Sequence, residues 1–164
     1  DLGFSTYATE ISEGIVSGLE ASKETNGWKA RFFCGTNTNL PFDDILSCAG
    51  LYYMDDNAEF DSTLREISRI MKGGAYFISN IPDENNFIVK GVQHLNDGSV
   101  IIKNDPYNLR NDSRLMVARS ETELKKLLAL YFCNIKTGHL ADNYFDLMVS
   151  CYLFVCQKGA SDAK

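Results

Sequence analysis

Apolar and polar positions along the chain change period several times, and each change predicts an element. Residues 5–9 form a short β-prone stretch that gives way at Glu10-Ile11-Ser12. Ser12 reads as a helix N-cap, and Ile15, Val16 and Leu19 then recur at helical spacing until Asn26-Gly27 stops the run. ARFFC at 30–34 predicts a second strand, closed by a polar loop at 35–39. Within DDILSCAGLYY, the apolar run 45–49 suits a strand buried on both faces. From about Asp56 to Met71, the residues Phe60, Leu64, Ile67 and Ile70/Met71 share one face of a helix that Lys72 and Gly73-Gly74 terminate. AYFISN at 75–80 follows as a strand. Strand and helix thus alternate through the first half, the pattern of a parallel sheet with crossover helices.

From Asp83 to about Arg119 the pattern changes. Residues 89–95 and 99–103 flank Asn96-Asp97-Gly98, a hairpin signal, and NDPYNLRNDS then loses all regularity. Ser120 and Glu123 form a capping box for another helix, with Leu124, Leu127, Leu128 and Tyr131 on its inner face. Two last β-runs, 134–140 and 147–157, are joined by a polar connection at 141–146 too short for a crossover helix, so they pair antiparallel. No internal repeat is visible, and 159–164 is a polar tail.

Composition narrows the function classes. With a formal charge of −6 and no dense Lys/Arg cluster, the chain is not expected to take nucleic acid or an anionic membrane surface as its main partner. Its longest apolar run, LMVSCYLFVC, is too short to cross a bilayer. Cys34, Cys48, Cys133, Cys151 and Cys156 are odd in number, contain no CxxC pair and sit mostly in apolar runs. They read as buried, reduced thiols of a cytoplasmic protein. The histidines His94 and His139 have no neighbouring ligand cluster, so no metal site is expected.

Four stretches, in order, carry a resemblance: TEIS at 9–12, CGTNTNLPF at 34–42, FDDILSCAGLYYMDD at 42–56 and LREISRIMKGGAYFISNIP at 64–82. Together they resemble class I S-adenosylmethionine-dependent methyltransferases of the small-molecule type. The likeness spans about 1–158, with one departure near Phe42-Asp43, where two segments of the family pattern merge. It implies a Rossmann-like, doubly wound α/β sheet, mostly parallel with a C-terminal antiparallel hairpin. In that arrangement 83–119 would be a substrate-lid insertion. The cofactor implied is S-adenosyl-L-methionine, and the acceptor a metabolite or sugar-like small molecule.

Residue roles follow from the same resemblance. Glu10 would accept hydrogen bonds from the ribose hydroxyls, and Ile11 would pack on adenine. Thr36, Asn37 and Thr38 would border the adenine edge, and the backbone near Cys48 and Ala49 would approach the sulfonium. Tyr52 and Tyr53, with Asn85, Tyr107 and Arg110, would wall the acceptor pocket; Tyr53, His94 and His139 are catalytic candidates by residue type only. Asp1-Leu2-Gly3 imitates a glycine-rich loop, but Glu10 follows too soon for the crossover helix that such a loop opens. The expectation is therefore that the glycine-rich motif and first strand are missing from this chain, so that the chain on its own binds the cofactor weakly or not at all. A catalytically inactive binding or assembly module is the alternative reading, and an NAD-dependent dehydrogenase a more distant one. The sequence says nothing of oligomeric state.

Overall fold

A computed structural model describes residues 7–10, 13–26, 31–34, 42–47, 50–54 and 60–159, in two compact units divided after Asn39. Among the described residues no helix is long and apolar enough to cross a membrane.

In the first unit β1 (Tyr7–Glu10) and β2 (Arg31–Cys34) flank α1 (Glu13–Asn26). The strands pair in parallel, with Glu10 level with Cys34. A helix between two parallel neighbouring strands is the βαβ connection that the alternating pattern predicts. Ile15 is exposed on α1, Val16 and Leu19 are partly buried, and Lys23 pairs with Glu20 at 3.1 Å. Ser12, the expected N-cap, lies outside the described residues.

The second unit is built on a four-stranded sheet. Its elements in chain order are β3 (Phe42–Ser47), β4 (Tyr53–Met54), α2 (Phe60–Ile70), β5 (Met71–Pro82), β6 (Ser99–Ile101), β7 (Arg114–Met116), α3 (Glu121–Leu128), β8 (Cys133–Tyr144) and β9 (Leu147–Gln157). The strand order is β3-β5-β9-β8, and β4-β7-β6 form a separate small sheet. β3 and β5 are parallel, whereas β9 is antiparallel to both β5 and β8. β8 consequently runs in the same direction as β5.

Alternation decides which face of the sheet is covered. Ala75, Phe77, Ser79 and Ile81 on β5 are buried, as are Ser150, Phe154 and Cys156 on β9. The apolar members join Phe60 and Leu64 of α2 and Leu124 and Leu128 of α3 in one core. Phe77 sits at its centre, edge-on to Phe154 at 5.3 Å and tilted to Phe132 at 5.5 Å. Residues of opposite parity face outward: Tyr76, Ile78 and Leu153 are all exposed. This corrects the expectation for β3. Leu46 is 68% exposed because β3 is an edge strand of this unit's sheet, and the core of the unit packs on one face only.

Local signals explain the helix ends. Asp61 lies in the first turn of α2 and pairs with Arg65 at 2.7 Å. At the other end the Lys158 ammonium donates to the Met71 carbonyl at 2.7 Å, a cation placed where the helix dipole favours one. Gly74 turns the chain at φ +80°, a conformation that needs its missing Cβ. On α3, Ser120 Oγ accepts from the Glu123 amide at 3.1 Å as the capping box predicts. The Glu123 carboxylate returns to the Arg119 amide, one residue before the cap.

Two further boundaries differ from expectation. The 89–95 stretch turns rather than extends: Val89 and Val92 amides close successive turns on Asn86 and Val89 carbonyls, and Gly91 has φ +75°. The bridge between His94 and Val100 and the bond from the Leu95 amide to the Ser99 carbonyl at 2.7 Å remain of the predicted hairpin, closed by Gly98 at φ +87°. The final hairpin is longer than expected, because pairing continues to Tyr144↔Leu147 and leaves a two-residue turn at Phe145-Asp146. The Asp142–Tyr144 positions are polar or exposed on both faces, so no alternation marks them as strand.

Candidate functional site

In α/β sheets ligands gather outside the carboxyl ends of the parallel strands. In the second unit that edge lies beyond Ser47 of β3 and Pro82 of β5, which run side by side with Ser47 level with Ser79. The residue leaving β5 is Asp83. It is 3% exposed, and its carboxylate collects three kinds of donor. Ser150 Oγ donates to Oδ2 at 2.7 Å, the Asn85 amide to Oδ1 at 2.8 Å, and His139 Nε2 lies 2.6 Å from Oδ2. Burial alone would raise this carboxyl, but the bonds from Ser150, His139 and Asn85 outweigh it and hold Asp83 below its ordinary value.

The neighbouring groups are fixed in turn. Asn86 is buried and donates Nδ2–H to the Ser150 carbonyl at 2.8 Å. His139, on β8, is half-exposed and stacks obliquely on Tyr152 at 5.2 Å. Cys151 is buried next to Ser150, and burial together with the nearby Asp83 charge pushes its thiol up, against a weak bond from Asn80. This thiol is therefore not an activated nucleophile.

Tyr52 and Tyr53 leave the same edge by way of β4. Their rings stack at 5.1 Å, and the Tyr52 carbonyl accepts from the Met116 amide at 2.8 Å, tying the segment to β7. Burial first, then Tyr53 and Cys151, push the Tyr52 phenol up to about 12 against the opposing influence of Arg110. At neutral pH it is a hydrogen-bond donor. Tyr53 is 40% exposed.

The remaining predicted residues divide by what holds them. Asn85 lies at Asp83 through its amide. Arg110 and Tyr107 belong to a loop wound around Asp105, whose carboxylate accepts from the amides of Tyr107, Leu109 and Arg110 at 2.9–3.1 Å. The Arg110 guanidinium stands 3.9 Å from the same carboxylate, and Tyr107 is largely exposed. Both ring nitrogens of His94 face acceptors, Nδ1 the Gly98 carbonyl at 3.1 Å and Nε2 the Glu84 carboxylate at 3.3 Å. The structure thus gathers Tyr52, Arg110 and Cys151 into one electrostatic neighbourhood, with Cys151 linking it to the Asp83–His139 cluster, and leaves His94 in the hairpin.

Glu10 is the last residue of β1, at the same end as Cys34 of β2. Ile11, Thr36, Asn37, Thr38, Cys48 and Ala49 lie outside the described residues.

Two residues of the cluster went unremarked in the sequence, Asp83 and Ser150. The signals were present: an acid directly after a strand-ending proline, and a lone hydroxyl inside an apolar run. A depression of about 510 Å³ also lies on the outward face of the sheet, lined by Leu46, Ile78, Asn80, Lys136, Leu153 and their neighbours. Among the described residues that line it there is no carboxylate. Among the described residues no group of His, Cys, Asp and Glu is arranged to hold a metal ion.

No family profile matches the chain, and no curated protein matches it in sequence. Solved structures do. An S-adenosylmethionine-dependent methyltransferase from Methanosarcina mazei matches with a TM-score of 0.68 at 19% identity, over 97% of this chain and 84% of that one. An N-methyltransferase from Bradyrhizobium japonicum in complex with S-adenosyl-L-homocysteine matches with a TM-score of 0.59 at 11% identity, over 94% and 66%. A 4+2 cyclase matches with a TM-score of 0.66 at 15% identity, over 98% and 69%. Likeness at such identities is a likeness of fold, and the chain has the Rossmann-like α/β fold of class I S-adenosylmethionine-dependent methyltransferases.

Proposed function

We propose that this chain serves a methyltransferase that moves a methyl group from S-adenosyl-L-methionine to a small-molecule acceptor. The observation that carries this reading is the placement of Glu10 at the carboxyl end of β1, level with Cys34 on a parallel strand, in a chain with this fold. Glu10 would hold the ribose hydroxyls, the 35–39 segment would border adenine, and the 48–49 backbone would face the sulfonium. When bound, the cofactor supplies an electrophilic methyl group on a sulfonium whose carbon–sulfur electron pair stays with sulfur. The protein's own contribution is to align and dehydrate the acceptor, for which the Tyr52–Tyr53 stack offers aromatic faces tolerant of positive charge. Arg110, Asn85 and Tyr107 provide polar contacts for a metabolite-like acceptor, with 83–119 closing over it. The free thiols of Cys151 and Cys156, which are buried, and of Cys133, which is exposed against the expectation, together with the acidic balance, fit a cytoplasmic setting without nucleic acid or membrane as partner.

Calorimetric titration with S-adenosyl-L-homocysteine tests the reading in the protein carrying this chain. Binding in the micromolar range is expected, weakened about tenfold or more by Glu10→Ala. Binding of NAD in its place, or of neither ligand, would overturn it.

A further inference from the structure

Asp83, His139 and Ser150 come from three strands or strand ends, 56 and 67 positions apart, and meet at the ligand-facing edge of the sheet. Their hydrogen bonds leave little freedom of assignment. An ionised carboxylate only accepts, so the Ser150 hydroxyl hydrogen points to Asp83, as does the hydrogen on His139 Nε2. The Ser150 oxygen, 3.2 Å from Nε2, is left as a secondary acceptor. Ser150 is 1% exposed and its proton is spent on the carboxylate, so it is not a nucleophile. The imidazole is held as the Nε2–H tautomer, with the basic lone pair on Nδ1. Among the described residues Nδ1 has no hydrogen-bond partner, and the ring is half-exposed.

We propose that His139, oriented by Asp83 and Ser150, is the general base of this site and takes the proton of a hydroxyl or amine acceptor at Nδ1. This rests on the methyl-transfer reading above and narrows its acceptor class. The acceptor's X–H bond breaks toward Nδ1, its lone pair becomes the nucleophile, and the proton later passes from the half-exposed imidazole to water. His139 is the catalytic residue, whereas Asp83 and Ser150 are positioning residues. The titratable groups facing the imidazole are Asp83 at the end of β5 and Tyr152 on β9, with Cys151 facing Asp83 from behind.

Diethyl pyrocarbonate acylates an imidazole through an unprotonated, accessible nitrogen and needs neither cofactor nor acceptor. In the native protein at pH 7, mass mapping is expected to show His139 modified at least tenfold faster than His94, whose ring nitrogens both face protein acceptors in a less exposed position. Nitrogen-15 spectra should show neutral His139 as the Nε2–H tautomer in the wild type and a tautomer mixture in Asp83→Asn. Ser150→Ala, which removes the Ser150 bonds to Asp83 and to Nε2 but leaves the Asp83–His139 bond, should keep the tautomer and guards against a misfolded Asp83 variant. In a labelled-methyl transfer assay over hydroxyl and amine acceptors, His139→Gln should lower kcat by about 10²- to 10⁴-fold and change KM less than threefold. Equal reactivity of the two histidines, an Nδ1–H tautomer, or a loss confined to KM overturns the base while S-adenosyl-L-homocysteine still binds. Failure of that ligand to bind overturns the underlying reading instead, and the tautomer and acylation results remain to judge the histidine.

Discussion

A phenol becomes anionic only where its charge is solvated or paired, and Tyr52 is denied both. Its ring is packed between two apolar clusters, its nearest aromatic partner is another phenol, and only Arg110 favours ionisation. With its pKa raised to about 12, Tyr52 is neutral in the fold where the unfolded chain would ionise at its ordinary value of 10.0. The stability it contributes is complete below that ordinary value and is lost as pH rises toward the folded one. Ultraviolet difference titration at alkaline pH should therefore show the same phenolate absorbance up to pH 11 in wild type and Tyr52→Phe, diverging only above it. Early loss of one phenol in the variant would contradict this environment. At this scale the sequence was informative about residue type but silent about partners. His94 and His139 looked alike because what separates them, Glu84 and Gly98 for one and Asp83 for the other, depends on tertiary approach. Asp105, another acid of the candidate region, proves to be a loop staple for the same reason.

Elements were legible where one periodicity dominated. In α2 Phe60 and Leu64 are buried and Ile67 partly so, as the spacing requires, whereas Met71, expected at the end of this helix, is buried as the first residue of β5; on α3 the cap and the stripe agree. Elements were misread where burial did not follow period. β3 is continuously apolar in part yet shows Leu46 to solvent, and the outer end of β8 is strand by pairing with β9 alone. The hairpin turn itself was hidden because Phe145 and Asp146 both adopt left-handed conformations, φ 50° and 68°, without the usual Asn-Gly. Phe145 is also fully exposed, so no packing compensates its strain. Replacing Phe145-Asp146 by Asn-Gly should stabilise the protein by about 1 kcal/mol. For a chain of this size that is about 2–4 °C in Tm, measurable by calorimetry. An unchanged or lower Tm would mean that the turn is not strained.

At the scale of the whole molecule, the alternation of strands and helices correctly announced the α/β fold, because βαβ connections leave their mark in the order of elements. What order cannot announce is the set of long-range polar ties that fasten β5, β8 and β9 to one another. Asp83 is a buried member of this set, joining Pro82's exit to β8 through His139 and to β9 through Ser150. Asp97 does the same in the small sheet, where burial opposes ionisation but Ser99 and Arg114 overcome it and keep its carboxyl low. Both folded values lie below the ordinary 3.8, so the folded state binds fewer protons than the unfolded chain near that pH. Their stabilisation is present in full above about pH 4 and is lost as pH falls through 3.8 toward the folded values. Urea midpoints should accordingly hold level from pH 7 to 5 and fall below pH 4. Asp83→Asn should start lower at pH 7, because its amide cannot replace an ionised acceptor for two strands at once. Its acid limb should nevertheless be shallower than that of the wild type, since one depressed carboxyl is gone. Parallel curves for the two proteins would show that Asp83 titrates as an ordinary surface acid and that the tie between the three strands lies elsewhere.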